Sequence, residues 1–278
     1  MFEPSYALGC LATLSSLARL ASRPVKVEVL LREKYRAAAK PIFEQVKRAH
    51  GEKIEIREVI VPPEILAQCD AVHFQAHFIP EVLFRLYYFE LVSEPSDFVV
   101  HLDIDMMVLG DAFELERELG SPALLHVVEA EMTEITRSLT PPQMDRYINA
   151  GFMVFDARDR EAIRSRMRQS QQIAQQIASK SLYVDQDSLN IAFYEHKRYL
   201  PDRWNFTLQQ FTSFPLPPDI VILHATGSRK PWFFRGHHPF TPWYEKEADL
   251  LGLGFFQRYD FWWVFRRMLK KLQNRFGG

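Results

Sequence analysis

The chain has 278 residues, enough for a sizeable core, and its 47% hydrophobic and 25% charged content is ordinary for a globular protein. A formal net charge of -1 excludes a global attraction to nucleic acid or to an anionic membrane, so any such contact must be a local patch. Two cysteines, Cys10 and Cys69, build no evident disulfide framework, CxxC pair or metal cluster, and a reducing compartment is the expectation.

Ala7-Leu-Gly-Cys-Leu-Ala-Thr-Leu has the outline of a secretion signal, but Glu3 precedes it in place of basic residues, and Ser15, Ser16 and Arg19 interrupt it. Leu8, Leu11, Leu14, Leu17 and Leu20 instead recur at helical spacing over 7–21, ahead of Pro24. Val25 to Leu31 alternates like a strand, Lys34 to His50 is helical by pattern, and Lys53 to Val61 alternates again. That rhythm predicts an α/β layer architecture. Pro80 to Leu91 predicts a helix carrying Arg85, and Phe98 to Leu102 a buried strand. A turn to 115–119 and a strand over 123–128 follow. Residues 129–146, polar and holding Pro141-Pro142, read as a loop with little core. Asn149 and Gly151 then stand just before a second buried strand that ends near Asp156. Residues 158–181 form a polar helix, Asp185 opens another, and 200–206 are an aromatic loop. Ile220 to Leu223 is a short strand ending in His224. No stretch reaches the about 20 apolar residues of a membrane span, so a cytoplasmic protein is expected.

Asp103 and Asp105 follow the 98–102 strand, whose period of two predicts both carboxylates on one face. Two carboxylates there cannot be buried unpaired. They are either a solvated turn or the oxygen ligands of a hard cation, manganese or magnesium, with phosphate oxygens completing the shell. His224 closes its strand in the same way and adds an imidazole. Gly227 and Lys230 follow, a glycine allowing backbone amides to approach a phosphate and a lysine to neutralise it.

Asp-x-Asp, Asn-x-Gly, Asp-Gln-Asp and His-x-x-Gly-x-x-Lys-Pro-Trp, in this order, resemble glycosyltransferase family 8. The resemblance implies retaining enzymes of the GT-A fold, a Rossmann-like mixed central sheet flanked by helices, acting on bacterial lipopolysaccharide. It further implies manganese on Asp103, Asp105 and His224, bridging the diphosphate of UDP-glucose or UDP-galactose. Tyr6 would stack on uracil, with Glu3 where the family has an aspartate. Gly227 and Lys230 would hold the diphosphate. Arg85, Asn149, Asp185 and Gln186 would line the donor sugar, with Ile104 and Ala150, the middle residues of two motifs, beside the nucleotide. His77 and Trp204 are the candidates for the acceptor, an oligosaccharide or lipid-linked glycan. Gln186, an amide where a retaining enzyme's nucleophile is expected, points to front-face attack, with Asp185 helping to stabilise the anomeric carbon. The family's first strand is barely present: either the native start lies upstream of Met1 or the sheet has lost an element.

The predicted domains are a catalytic unit over 1–245 and a C-terminal helical segment over 246–278. Phe255, Trp262, Phe265, Leu269, Leu272 and Phe276 fall on one side of a helical wheel, with Arg267, Lys270 and Lys271 opposite. That pattern suits an interfacial helix on anionic lipid, at the inner face of a bacterial membrane; the alternative is a helix packed on the core. Two other functions were open. A phosphatase built on Asp-x-Asp would want Thr or Val where Met107 stands and a downstream Asp-Asp pair, which the chain lacks. An inactive sugar-nucleotide or glycan-binding protein of the same fold would bind UDP without turning over a donor.

Overall fold

The computed structural model describes residues 1–72, 79–92, 96–120, 122–233, 238–254 and 257–261. In chain order its elements are α1 (Ala7–Leu20), β1 (Val25–Leu31), α2 (Arg36–His50), β2 (Ile54–Ile60), α3 (Pro63–Asp70), α4 (Tyr88–Leu91), β3 (Phe98–Leu102) and β4 (Met106–Val108). Then come β5 (Leu125–Ala130), α5 (Glu134–Leu139), β6 (Tyr147–Asp156), α6 (Arg160–Ile177), α7 (Val184–Ala192), β7 (Lys197–Leu200), β8 (Phe206–Thr207), β9 (Ile222–His224) and α8 (Thr241–Leu250). The expected α/β architecture is present, with its mixed pairing spread over three ladders. β1 and β2 run parallel; a second ladder has the order β3-β6-β5-β7 and a third β4-β9-β8, each mixing parallel and antiparallel pairs.

Leu11, Leu14 and Leu17 of α1 are buried and Leu8 and Leu20 half-buried, but the polar residues Thr13, Ser15 and Ser16 are buried too. Their partners explain this. Thr13 Oγ1 donates to Met106 O at 2.7 Å and accepts from Met106 N at 3.2 Å, while Ser16 Oγ accepts from Val108 N at 3.1 Å. The hydroxyls of α1 thus satisfy the outer edge of β4 in place of a further strand. Ser15 Oγ donates to buried Glu247 on α8 at 2.6 Å and meets His50 Nε2 at 2.7 Å, tying α1 to α8 and α2. Phe2 is fully buried and its N–H donates to Leu30 O at 2.9 Å, a single ladder bond where the family pattern has a strand.

The helix predicted over 80–91 is a 3-10 helix, Pro80–Tyr87, that becomes α-helical only in α4. It is anchored by buried Glu81, which pairs with Arg32 at 2.5 Å, and it delivers Arg85 to the interior. Two further expectations are corrected. Residues 129–146 are not a core-less loop: Thr133 caps α5, and Thr136 and Met144 are buried. A boundary at 245/246 would cut α8, and Ala248 and Leu253 pack in the same core as α1 and α2, so the packed body extends at least to Leu253. The amphipathic segment over 262–278 lies outside the described residues.

Candidate active site

Asp103, Ile104 and Asp105 form a turn held at both ends. Asp103 N donates to Gly151 O at 2.9 Å, which extends the β3–β6 ladder by one bond, and Ala225 N donates to Asp105 O at 2.9 Å. The two aspartates therefore stand beyond β3, and their convergence comes from the turn and the pairing of Met106 with His224, not from strand periodicity. Nor is β3 the buried strand expected: it lies at a ladder edge, with Val100 45% exposed. His224 Nε2 lies 3.2 Å from Asp105 Oδ1 and 3.9 Å from Asp103 Oδ2. These three residues are the candidate metal cluster among the described residues.

Two buried cations face the aspartates. Arg85 Nη2 donates to Asp103 Oδ1 at 2.7 Å, Nη1 donates to Ala150 O at 2.6 Å, and Nε lies 3.3 Å from Asp185 Oδ2. Lys230 Nζ donates to Asp105 Oδ2 at 2.6 Å and to Ala225 O at 2.7 Å. Burial alone would raise both aspartate carboxyls. Arg85, joined by His101 and His224, nevertheless holds Asp103 far below the ordinary range, and Lys230 with His224 brings Asp105 down to about 2. Burial opposes the charge of Lys230, but Asp105, Tyr6 and Asp103 together outweigh it and raise the ammonium. For Asp185 burial prevails over Arg85, and its carboxyl is raised. His101, two residues before Asp103 on the same side of β3, reaches Asp103 Oδ1 at 3.2 Å; burial, then Arg85, lowers it to about 4. The spacing of two was the signal for it.

The donor set fits a hard divalent cation. Asp105 Oδ1 is buried and receives no hydrogen bond among the described residues, an expensive state for a carboxylate oxygen. With three carboxylates against Arg85 and Lys230, the ionised cluster carries one net negative charge; a divalent cation would reverse that sign and leave the site attractive to a diphosphate.

The remaining polar residues come from an irregularity in β6. Its register with β5 jumps between Val127, opposite Met153, and Val128, opposite Asn149, leaving residues 150–152 out of that pairing. The freed Ala150 N–H donates to Gln186 Oε1 at 2.9 Å, which places the Gln186 amide at the site from the first turn of α7. Bulges of this kind re-aim backbone groups beside active sites. Gly151 sits against His224: a Cβ there would come within 2.3 Å of His224 Cε1. Asp187, the third residue of Asp-Gln-Asp, is spent internally, accepting from Ser181 Oγ at 2.5 Å and from the Tyr147 hydroxyl.

Comparison with known proteins decides the family. The model of glycosyl transferase family 8 matches residues 1–236. The chain belongs to that family. It is 27% identical over 192 residues to a lipopolysaccharide 1,2-glucosyltransferase of Escherichia coli, an alignment covering 58% of this chain and 55% of the relative. It is 26% identical over 182 residues to a lipopolysaccharide 1,3-galactosyltransferase of Salmonella typhimurium, covering 58% and 52%. The aligned part thus spans about half the length of these relatives. Among solved structures, the galactosyltransferase LgtC in complex with donor and acceptor sugar analogs superposes with a TM-score of 0.69 at 19% identity, over 89% of this chain and 92% of LgtC. The bifunctional glycosyltransferase WbbM gives 0.69 at 21% identity, over 92% of this chain and 49% of WbbM. The fold is GT-A.

Within this family 8 chain the other expected site residues fall unevenly. The Tyr6 ring meets Trp232 edge-on, with centroids 5.9 Å apart, and Lys230 Nζ lies 5.6 Å from its centroid, so Tyr6 borders the aspartate cluster. Glu3 accepts from Ser5 N at 3.0 Å and caps the 3-10 turn that carries Tyr6. Ile104 is half-buried beneath α1, where a Cβ on Gly9 would stand 2.6 Å from Ile104 O. Gly227 adopts φ +85 with open space around it; a side chain there would strain the backbone without striking anything. Trp204 is a correction. It is fully buried, stacked on Phe152 with centroids 6.1 Å apart, so it is a core residue with no face toward an acceptor. His77 lies outside the described residues. Asn205, fully buried and in contact with both Asn149 and His224, escaped sequence reasoning altogether.

Proposed function

We propose that this chain transfers a hexose, glucose or galactose, from UDP-hexose to a glycan acceptor such as a lipopolysaccharide core, with retention of configuration. The observation that carries the reading is the Asp103–Asp105–His224 cluster, its histidine buried and its aspartates half-buried, with Asp105 Oδ1 buried and unpartnered among the described residues, flanked by Lys230 and Arg85. The names of the two lipopolysaccharide transferases to which it is similar support the same class of reaction.

Bound between Asp103, Asp105 and His224, manganese or magnesium would supply Lewis-acid stabilisation to the departing diphosphate. Lys230, already charged through its contact with Asp105, adds a fixed ammonium to the same leaving group. Tyr6 offers an aromatic face to uracil from the edge of the cluster. Arg85 orients Asp103 and Asp185 together, and it fixes the Ala150 carbonyl beside the Gln186 amide. Gln186 is a weak nucleophile, and Asp187 is engaged with Ser181 and Tyr147. Attack by the acceptor hydroxyl on the face that UDP leaves fits this arrangement, with Gln186 Oε1 and the Asp185 carboxylate facing the positive charge at the anomeric carbon. The basic, aromatic C-terminal segment would hold the enzyme on anionic lipid, where lipid-linked acceptors reside.

The test is UDP release from a panel of UDP-sugars, with manganese and then with chelator. Turnover of UDP-glucose or UDP-galactose that needs the metal and disappears in Asp105→Ala supports the reading. Turnover unaffected by chelator refutes the metal's part, and manganese-dependent UDP binding with no turnover of any donor, acceptor present, identifies a binding protein instead.

A further inference from the structure

His224 can act as a metal ligand through Nε2 only if its proton sits on Nδ1, and three hydrogen bonds determine where that proton is. The first donor in the series is unambiguous. Gly151 N–H, a backbone group, donates to Asn149 Oδ1 at 3.0 Å, which fixes the oxygen end of the Asn149 amide. Asn205 Nδ2 donates to that same oxygen at 2.9 Å, which fixes the orientation of the Asn205 amide in turn. Its other end, Oδ1, then faces His224 Nδ1 at 2.9 Å and can only accept. The proton must lie on Nδ1, and the lone pair of Nε2 is turned toward Asp105 Oδ1 at 3.2 Å. In the neutral ring these are two acceptors facing each other across 3.2 Å, and they repel until a metal cation, or at low pH a second proton on the imidazole, enters between them.

We infer that Asn205 is the positioning residue that selects the metal-binding tautomer of His224, and that the Gly151 backbone sets it through Asn149. The two residues at the imidazole are enclosed. Asn205 is fully buried and His224 is 4% exposed, so no solvent competes for the imidazole proton. The segment before β8 also has little freedom: Asn205 N donates to Asp202 O at 3.0 Å, and Thr207 stands opposite His224 in the β8–β9 pairing. Gly151 contributes twice, as the donor that starts the series and as the absent side chain that leaves room for the His224 ring. Outer partners of this sort fix both tautomer and ring orientation of a ligand histidine.

The inference rests on the metal reading for its purpose but not for its test. In metal-free protein labelled with 15N-histidine, above the ordinary histidine titration range, His224 should show a protonated Nδ1 and a bare Nε2, the resonance being assigned by its loss in His224→Gln. A protonated Nε2 in the wild-type protein overturns the inference outright, whatever the protein does with metals. Two variants extend the test. Asn205→Asp keeps an acceptor for Nδ1–H and should retain manganese affinity within about 3-fold, whereas Asn205→Leu should weaken it by about 10- to 100-fold. Equal losses in the two variants, or none in folded Asn205→Leu, would reduce Asn205 to a packing residue. The expected tautomer in a protein that binds no manganese would leave the inference standing and remove the metal reading.

Discussion

At the scale of single residues, the charges of the site are balanced against one another, and pH exposes that balance. The carboxyl of Asp105, ordinarily near about 3.9, is held down to about 2 in the fold by Lys230 and His224 against the effect of burial. A depressed carboxyl contributes stability that is present above its unfolded value and fades as the pH falls through its folded value. Asp105→Asn should therefore be less stable than wild type at neutral pH, by about 2–3 kcal/mol from that shift. The two proteins should converge between about pH 4 and 2, as read by denaturant midpoints along the acid limb. A constant difference across that range would assign the loss to packing. Gly151→Ala addresses the same site sterically. Its Cβ would meet His224 Cε1 at 2.3 Å and must displace the ring, so manganese affinity should fall about 10-fold or more while the core stays folded. Calorimetric titration of manganese checks this, and unchanged affinity would contradict the placement of His224. The cluster itself was legible in the sequence, because Asp-x-Asp and His-x-x-Gly-x-x-Lys carry chemistry at fixed spacing. Trp204 was not, since an aromatic residue in a polar stretch gives no sign of which way it faces, and here it faces Phe152.

At the scale of elements, the site depends on α1 lying directly against the Asp-x-Asp turn and β4. Thr13 supplies both a donor and an acceptor to Met106, so Thr13→Val, nearly isosteric, should leave two buried backbone groups unpaired. We expect a loss of about 1–3 kcal/mol in denaturant unfolding. A cost under about 0.5 kcal/mol would mean that β4 is satisfied another way. Helical periodicity gave α1 its limits to within a residue. It could not reveal that Thr13, Ser15 and Ser16, which interrupt the apolar run, have partners on β4, α2 and α8, because those partners lie far away in the chain. The β6 irregularity was hidden for a related reason. Tyr147 to Asp156 reads as a buried strand preceded by polar residues, yet Asn149 to Gly151 lie within it, where the slip against β5 turns backbone groups toward Arg85 and Gln186. Asn205 acquires its role only once that slip has brought Asn149 beside it.

At the scale of the whole molecule, Phe2 near one end and Leu253 near the other pack in the same core cluster, and none of the described helices is long and apolar enough to cross a membrane. The amphipathic pattern over 262–278 therefore yields a prediction of its own: the full chain should sediment with vesicles containing anionic lipid and not with neutral ones. Replacing Arg266, Arg267, Lys270 and Lys271 with glutamine should abolish this, at about 1 kcal/mol per basic residue near the surface. Equal sedimentation of both proteins would contradict it. The central claim concerns the other end of the molecule's chemistry, namely that a largely enclosed cluster carrying one net negative charge is built to receive one divalent cation and then a diphosphate. The most direct measurement is paramagnetic resonance of free manganese titrated with protein, with and without UDP. The account predicts one manganese per chain, bound more tightly when UDP is present, and no comparable site in Asp105→Asn. Manganese bound equally by that variant, or with an affinity indifferent to UDP, would contradict it.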